Sequence, residues 1–462
     1  MHRLARSLAR IVVVALFAST AHAQETSQEL RAQIDALKRR LAEIEAELAE
    51  VQREAGKATE PVELGDVPPS VIPPRNITSN NPNGVSRIRN QPPPTNPELK
   101  GFVPIPGTKT SFRLGGYAKL DAIYDNHAAG DTDAFVPINF PVGQANQREP
   151  NFTMHARQTQ FNLEVRRPSV LGTNLRFYFE FDFFGGGNGD YAFSLRQAYG
   201  QIGNTWAGFG YSAFMDADAL PDTLDFEGPG GALFLFQAGV HQAFELGAGT
   251  SLWLALENPS SQITDVFDSS ATGTQRLPDG VIRLRTEHHW GHVQLATLLR
   301  RLSYETATAK DDTFGGGPAL TGAIKTFGRD LFFFSGAWGN GIARYVQNAD
   351  QGTSNQNLDA VVENNGSLKA LEIWGAYAAY QHYWTPDWSS NLVYGAMQLQ
   401  RSQFLPDTFF KKSTYGALNL IWKPASTFSI GLELLHGTLD VQNGEKANDT
   451  RVQGSIQYKF VD

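Results

Sequence analysis

Seven basic residues, Arg113, Lys119, Arg166, Arg176, Arg196, Arg283 and Arg285, stand in segments where apolar and polar side chains alternate. An extended chain turns successive side chains to opposite faces. In LRFYFEFDFF (175–184), Leu175, Phe177, Phe179, Phe181 and Phe183 share one face, and Arg176, Tyr178, Glu180 and Asp182 the other. The same parity gathers all seven bases on polar faces. Guanidinium groups hold carboxylates through paired, charge-assisted hydrogen bonds, so this set is suited to attracting small anions. The acids Asp121, Glu164, Glu180, Asp182 and Glu287 lie in the same segments and offer a plainer role, in which each base is simply neutralised within a wall. A second charged stretch, DADALPDTLDFEGPGGA (216–232), carries Asp216, Asp218, Asp222, Asp225 and Glu227.

Other groupings carry less chemistry. HHWGH brings His288, His289 and His292 together on an expected short turn, with only Glu287 beside them, and chance clustering accounts for it better than a metal site. His155 could pair with a serine across a wall, but no nucleophile-elbow G-x-S-x-G is present. GGGNG (185–189) and FGGG (314–317) do not lead from a buried strand into a helix, so they read as loops, not phosphate cradles. With no cysteine there is neither disulfide nor thiol chemistry. The expectation is a protein that is not an enzyme and uses no cofactor or metal.

The elements that must position the bases begin with a leader. Arg3, Arg6 and Arg10 flank the apolar run IVVVALFA (11–18), and AHA (21–23) ends on small residues, which reads as a secretory signal over 1–23. Taking its three arginines from the 39 basic residues leaves 36 against 47 acidic, a net charge of −11 that disfavours nucleic acid as a partner. No later stretch offers ~18 uninterrupted apolar residues, so no membrane-spanning helix is expected.

Residues 24–54 contain Leu30, Ile34, Leu37, Leu41, Ile44, Leu48 and Val51, a strict heptad with Ile34, Leu41 and Leu48 at a. RLAEIE (40–45) sets Arg40 at g and Glu45 at e, similar to the pattern that favours parallel trimers; a dimer is the alternative. Residues 55–110 hold twelve of the 24 prolines and read as an extended linker. Its Arg75, Arg87 and Arg89 offer contacts to peptidoglycan or lipid head groups, against which a solvated linker is the simpler account.

From residue 111 to 462, sixteen period-two segments recur, joined alternately by short and long connections. The short ones are 167–173, 203–204, 289–291, 327–329, 385–387 and 423–426; the long ones are 125–151, 216–232, 258–278, 303–317, 340–366 and 437–448. A soluble sandwich has no reason to sort its loops this way. An outer-membrane β-barrel does, with tight periplasmic turns and long external loops. Most segments reach the ~9–11 residues that a tilted strand needs to cross a membrane. The all-β expectation is therefore a sixteen-stranded antiparallel barrel behind a short helical coiled coil, with apolar faces in lipid and the seven bases inside. Trp206, Trp384, Trp388 and Trp422 are expected in the interfacial girdles. In 192–203, Gln197 and Gln201 share a face with Leu195, as though this wall met a neighbouring subunit.

GGYAKLDAIYD (115–125), RQTQFNLEVRRP (157–168), LRFYFEFDFFGG (175–186), LRQAYGQIG (195–203), GYSAFMDADALPDTLDFEGP (210–229), WGNGIARY (338–345) and LNLIWKP (418–424) together resemble the DcaP-like outer-membrane porins. They span most of the mature chain in family order. The resemblance implies a homotrimer in the outer membrane of a Gram-negative bacterium, with the coiled coil in the periplasm. It implies diffusive uptake of small anionic solutes, dicarboxylates above all. One departure is the ending, where Val461 and Asp462 follow Phe460, whereas such barrels commonly end on an aromatic. In trimeric porins the loop corresponding to 216–232 folds into the lumen and narrows it. Its acids would then either fasten it to the wall or line the eyelet and weaken an anion preference. A plugged barrel serving as adhesin or envelope anchor, or a lipid-hydrolysing barrel, would be the other uses of such a fold.

Overall fold

A computed structural model of the chain describes residues 101–460 apart from 128, 144–148, 172 and 188, together with 38, 39 and 42, which are helical. The heptad positions, the Arg40–Glu45 motif, the leader and the linker up to residue 100 lie outside the described residues.

Sixteen barrel strands follow in order. They are β1 (Ser111–Asp125), β2 (Asn151–His155 and Gln160–Val170), β3 (Thr173–Asp182), β4 (Ser194–Ile202), β5 (Thr205–Tyr211), β6 (Phe236–Gly247), β7 (Thr250–Glu257) and β8 (Asp279–His288). Then come β9 (Gly291–Glu305), β10 (Lys310–Lys325), β11 (Leu331–Asn340), β12 (Glu372–Tyr383), β13 (Trp388–Leu399), β14 (Phe410–Ala425), β15 (Phe428–Val441) and β16 (Lys446–Lys459). Each pairs antiparallel with the next, and β16 returns to β1 with Tyr117 opposite Lys459 and Asp125 opposite Arg451. Closure leaves no unpaired edge. Before β1, the short strand Val103–Pro104 pairs back onto Phe112 and Ser111, inside the stretch expected to be linker.

The connections sort to two ends. Tight turns at 171–172, 203–204, 248–249, 289–290, 326–330, 384–387 and 426–427 mark one end. The other carries 126–150, 183–193, 212–235, 258–278, 306–309, 341–371, 400–409 and 442–445. Two expected long loops, 303–317 and 437–448, are instead tight hairpins. Polar residues there keep the ladder going beyond the apolar belt, with Glu305 opposite Lys310 and Asp440 opposite Lys446. Alternation of apolar with polar fades where both faces are wet, so the strand ends look like loops in the sequence.

Side chains alternate as a membrane barrel requires. Lys119, Asp121, Ile123 and Asp125 of β1 are buried inside, while Leu114, Leu120 and Tyr124 stand exposed on the outer wall. In β3, Arg176, Tyr178, Glu180 and Asp182 turn inward, and Phe177 is exposed outside. Phe161, Phe181 and Phe193 stack on that outer face. The mixed face of 192–203 has a local cause. Glu180 pairs with Gln197 but Phe181 pairs with Leu195, so Arg196 is an extra residue in a β-bulge. The bulge puts Leu195 outside and Arg196 with Gln197, Tyr199 and Gln201 inside, with no need of a neighbouring subunit. Trp206 also departs from expectation. It sits opposite Gln201 and His241, is buried inside the barrel and stacks on His241 at 4.3 Å. Trp384, Trp388 and Trp422 are exposed beside the tight turns, as a girdle demands.

Three long loops fold inward. Phe135, Ile138 and Phe140 from 126–150, Phe214, Leu220 and Leu233 from 212–235, and Tyr345, Val346 and Leu358 from 341–371 form one apolar cluster with inward wall residues. Each fully buried Phe or Leu there stabilises the packing by roughly 1.5–3 kcal/mol. Strands Ile263–Thr264, Ala360–Val362 and Leu368–Ala370 join the 258–278 and 341–371 loops in a small separate sheet.

Candidate functional site: the inner wall and the loop folded across it

Loop 212–235 leaves β5 and runs round the inside of the barrel, bonded in turn to strands far from it in sequence. Asp216 accepts from Arg285 at 2.8 Å and Thr321 at 2.8 Å, and lies 2.9 Å from His292 Nε2. Burial would raise the Asp216 carboxyl, but His292 and Arg285 hold it well below the ordinary range. Arg285 also bonds Asp218 at 2.7 Å and Glu287 at 2.8 Å. Further on, Tyr377 donates to the Ala219 carbonyl, Gln381 to the Asp222 carboxylate and Asn419 to the Asp222 carbonyl. Lys423 stands 3.6 Å from Asp222. Glu433 accepts from the backbone amides of Leu224 and Asp225, both at 2.9 Å. The Leu224 carbonyl receives Lys119 Nζ at 2.7 Å and Gln453 at 3.0 Å. Asp225 accepts from the amides of Phe135 and Gly228.

Small residues let the loop lie close. Gly231 has a φ of +86°, and a Cβ there would stand 2.5 Å from the Ala396 carbonyl oxygen. A Cβ on the wall residue Gly395 would meet the Gly230 carbonyl oxygen at 2.4 Å.

All seven sequence-predicted bases face inward, but they divide into groups. Lys119 and Arg285 fasten the loop. Arg113, Arg166 and Arg176 converge on Glu164. Arg196 bonds Asp182, with Nη2 at 3.0 Å, and lies over the Phe226 ring of the loop at 4.8 Å. Arg283 stacks on Trp253 at 4.1 Å and has no ion pair among the described residues; its Nε is buried without a hydrogen-bond partner. The predicted loop acids Asp216, Asp218, Asp222 and Asp225 are thus each occupied by the wall or by backbone amides. Glu227 accepts from Asn348, and burial with Asp350 and Asp225 nearby pushes it up to about 8.

Residues not singled out from sequence complete the site. Glu433, Asn419 and Gln453 lie on polar faces that parity does identify, but nothing local marks them as loop anchors. His292 drew attention through HHWGH, yet its partner is Asp216; His288 bonds Thr286 at 3.0 Å and lies beside the Trp290 ring at 5.4 Å. Among the described residues no cluster of His, Asp and Glu is arranged to hold a metal ion. Arg300 links Asp279 and Asp359 near the small loop sheet.

A closed sixteen-stranded barrel with an apolar outer belt, a charged interior and a loop fastened across that interior is a membrane channel of the porin class. The chain belongs to the porin subfamily, whose family model matches residues 100–460, and so to the outer membrane of Gram-negative bacteria. Among solved structures, it is similar to the outer membrane channel DcaP of Acinetobacter baumannii, with 21% identity and a TM-score of 0.67 over 76% of this chain and 97% of that one. It is also similar to the anion-selective porin from Comamonas acidovorans, at 11% identity and a TM-score of 0.53 over 76% of this chain and 100% of that one. At these identities the likeness is one of fold. A comparison with curated protein sequences returns no significant match.

Proposed function

We propose that the protein is a trimeric, anion-preferring porin that admits small anionic solutes, dicarboxylates among them, by diffusion. One observation carries this reading: the acids of loop 212–235 are taken up in fastening it, so they do not set the sign of the pore. The field is left to Arg113, Arg166 and Arg176, which carry two charges beyond their one carboxylate, and to Arg283, which has no ion pair among the described residues, since rings of one charge sign govern permeation. The similar Comamonas porin is itself anion-selective. Trimer formation is supported by the Arg40–Glu45 pattern in a periplasmic heptad helix.

The test is the reversal potential of the purified protein in a planar bilayer under a potassium chloride gradient. Current in steps of three with a potential favouring chloride is expected, and charge reversal of Arg176 or Arg196 should reduce that preference. A cation preference would sink the proposal. A second reading has its own support: the apolar cluster of Phe135, Phe214, Tyr345 and Leu358 inside the barrel suits a plugged barrel that anchors or adheres. Absence of any current would select it.

A further inference from the structure

Three guanidinium groups share one carboxylate on the inner faces of β1, β2 and β3. Arg113 Nη2 lies 2.9 Å from Glu164 Oε2, and Arg166 Nε and Arg176 Nε lie 2.6 and 2.8 Å from Glu164 Oε1. Arg113 is directly across from Glu164. Arg166 is directly across from Arg176, an arrangement of like charges that a strand pair disfavours. Two positive charges remain in excess. The Arg166 Nη1 atom is buried with no hydrogen-bond partner.

The three differ in access. Arg176 is enclosed, its side chain 4% exposed and its guanidinium over the rings of Tyr178 and Tyr199. Arg166 is 13% exposed and Arg113 36%. Arg113 is also backed by the Phe102 ring at 5.1 Å. The group lies toward the tight-turn end. The loop touches β1 at Lys119, six residues on, or roughly 20 Å along the strand.

We infer that Arg113, Arg166 and Arg176 form a binding station for a solute with two carboxylates, placed between the constricting loop and the periplasmic mouth. This rests on the anion-porin reading and says where such a solute pauses. Arg176 keeps Glu164 in place. Arg113 and Arg166 exchange their hold on Glu164 for the solute carboxylates, which their planar forks receive in pairs. The two excess charges match a dianion. Glu164 competes for the same donors, which keeps retention short enough for release.

The probe is succinate, added in increasing concentration on the periplasmic side while single-channel chloride current is recorded. Wild-type current should fall along a saturating curve. R113Q and R166Q should raise the half-saturating concentration by about tenfold each, the worth of a charge-assisted contact. E164Q should lower it several-fold. R167Q, whose residue lies on the outer wall, is the control and should match wild type. Heat-shifted mobility on a gel confirms that each variant is folded. A merely structural hub would make E164Q and R113Q err in the same direction; opposite directions mark a binding station. Half-saturation unmoved in both R113Q and R166Q, or no saturation in an anion-preferring wild type, overturns the station alone. A cation-favouring reversal potential, read before succinate is added, overturns it together with the porin reading.

Discussion

Arg285 shows what one side chain does in this barrel. It meets Asp216, Asp218 and Glu287 at once and is itself nearly enclosed. Arg285→Met should cost about 3 kcal/mol, because it leaves the buried Asp216 carboxylate with His292 and Thr321 but without its guanidinium partner. Urea unfolding of the detergent-solubilised protein, followed by tryptophan fluorescence, reads this directly. The double variant R285M/D216N should recover most of the loss, since the enclosed carboxylate is then gone and the two that lose Arg285, Asp218 and Glu287, are reached by water. The inward orientation of Arg285 was legible, because period two needs only its neighbours. Its partner was not, because Asp216 stands 69 residues earlier and on a loop without periodicity. Lys119 and Leu224 are 105 residues apart, and the same limit applies. Trp206 and Gln197 went astray for a different reason. Trp206 is aromatic and near a turn, which matches a girdle until its polar cross-strand neighbours are known. Gln197 follows a bulge that changes parity by one residue, and a single extra residue reverses every later side chain.

Loop 212–235 is the element proposed to narrow the pore, and two tests address it. Gly231→Val places a branched side chain where φ is +86° and the Ala396 carbonyl is already in contact, so the loop should detach locally. Higher conductance and greater protease sensitivity within 216–232 are the expected readouts, with the barrel still heat-modifiable. The second test uses pH. Glu227 is held against Asn348 and Gln347 of loop 341–371, with Asp225, Asp350 and Arg196 as the charged groups around it. Its folded value of about 8 is above its ordinary 4.5. A raised carboxyl favours the folded state while neutral, so this contribution is complete below the ordinary value and lost as pH rises through about 8. Current noise from the loop should therefore increase above pH 8, and E227Q should flatten that dependence. Noise that rises equally in E227Q would place the titration elsewhere. The count of sixteen strands and the two-ended sorting of connections were readable from sequence, because apolar belts and tight turns leave local marks. The lengths of 306–309 and 442–445 were not, since strand ends above the belt are polar on both faces.

The assembled protein is expected to depend on its N-terminal segment for association and on its barrel for conduction. Deleting residues 24–54 should lower the temperature at which trimers dissociate on a semi-native gel, while the conductance of a single barrel stays unchanged. Equal dissociation temperatures would assign trimer formation to the barrel walls. Within the barrel, loop 212–235 bonds to β1, β7, β8, β9, β10, β12, β14, β15 and β16. All but β1 come after it in the chain. A newly made chain therefore cannot complete the seating of this loop until the last hairpin has closed the cylinder. Biogenesis thus acquires an order: the wall is completed first, and the bore is narrowed afterwards. Insertion in that order would pass through a brief stage with a wider hole in the envelope, and the leak would last only as long as the loop takes to find its nine strands.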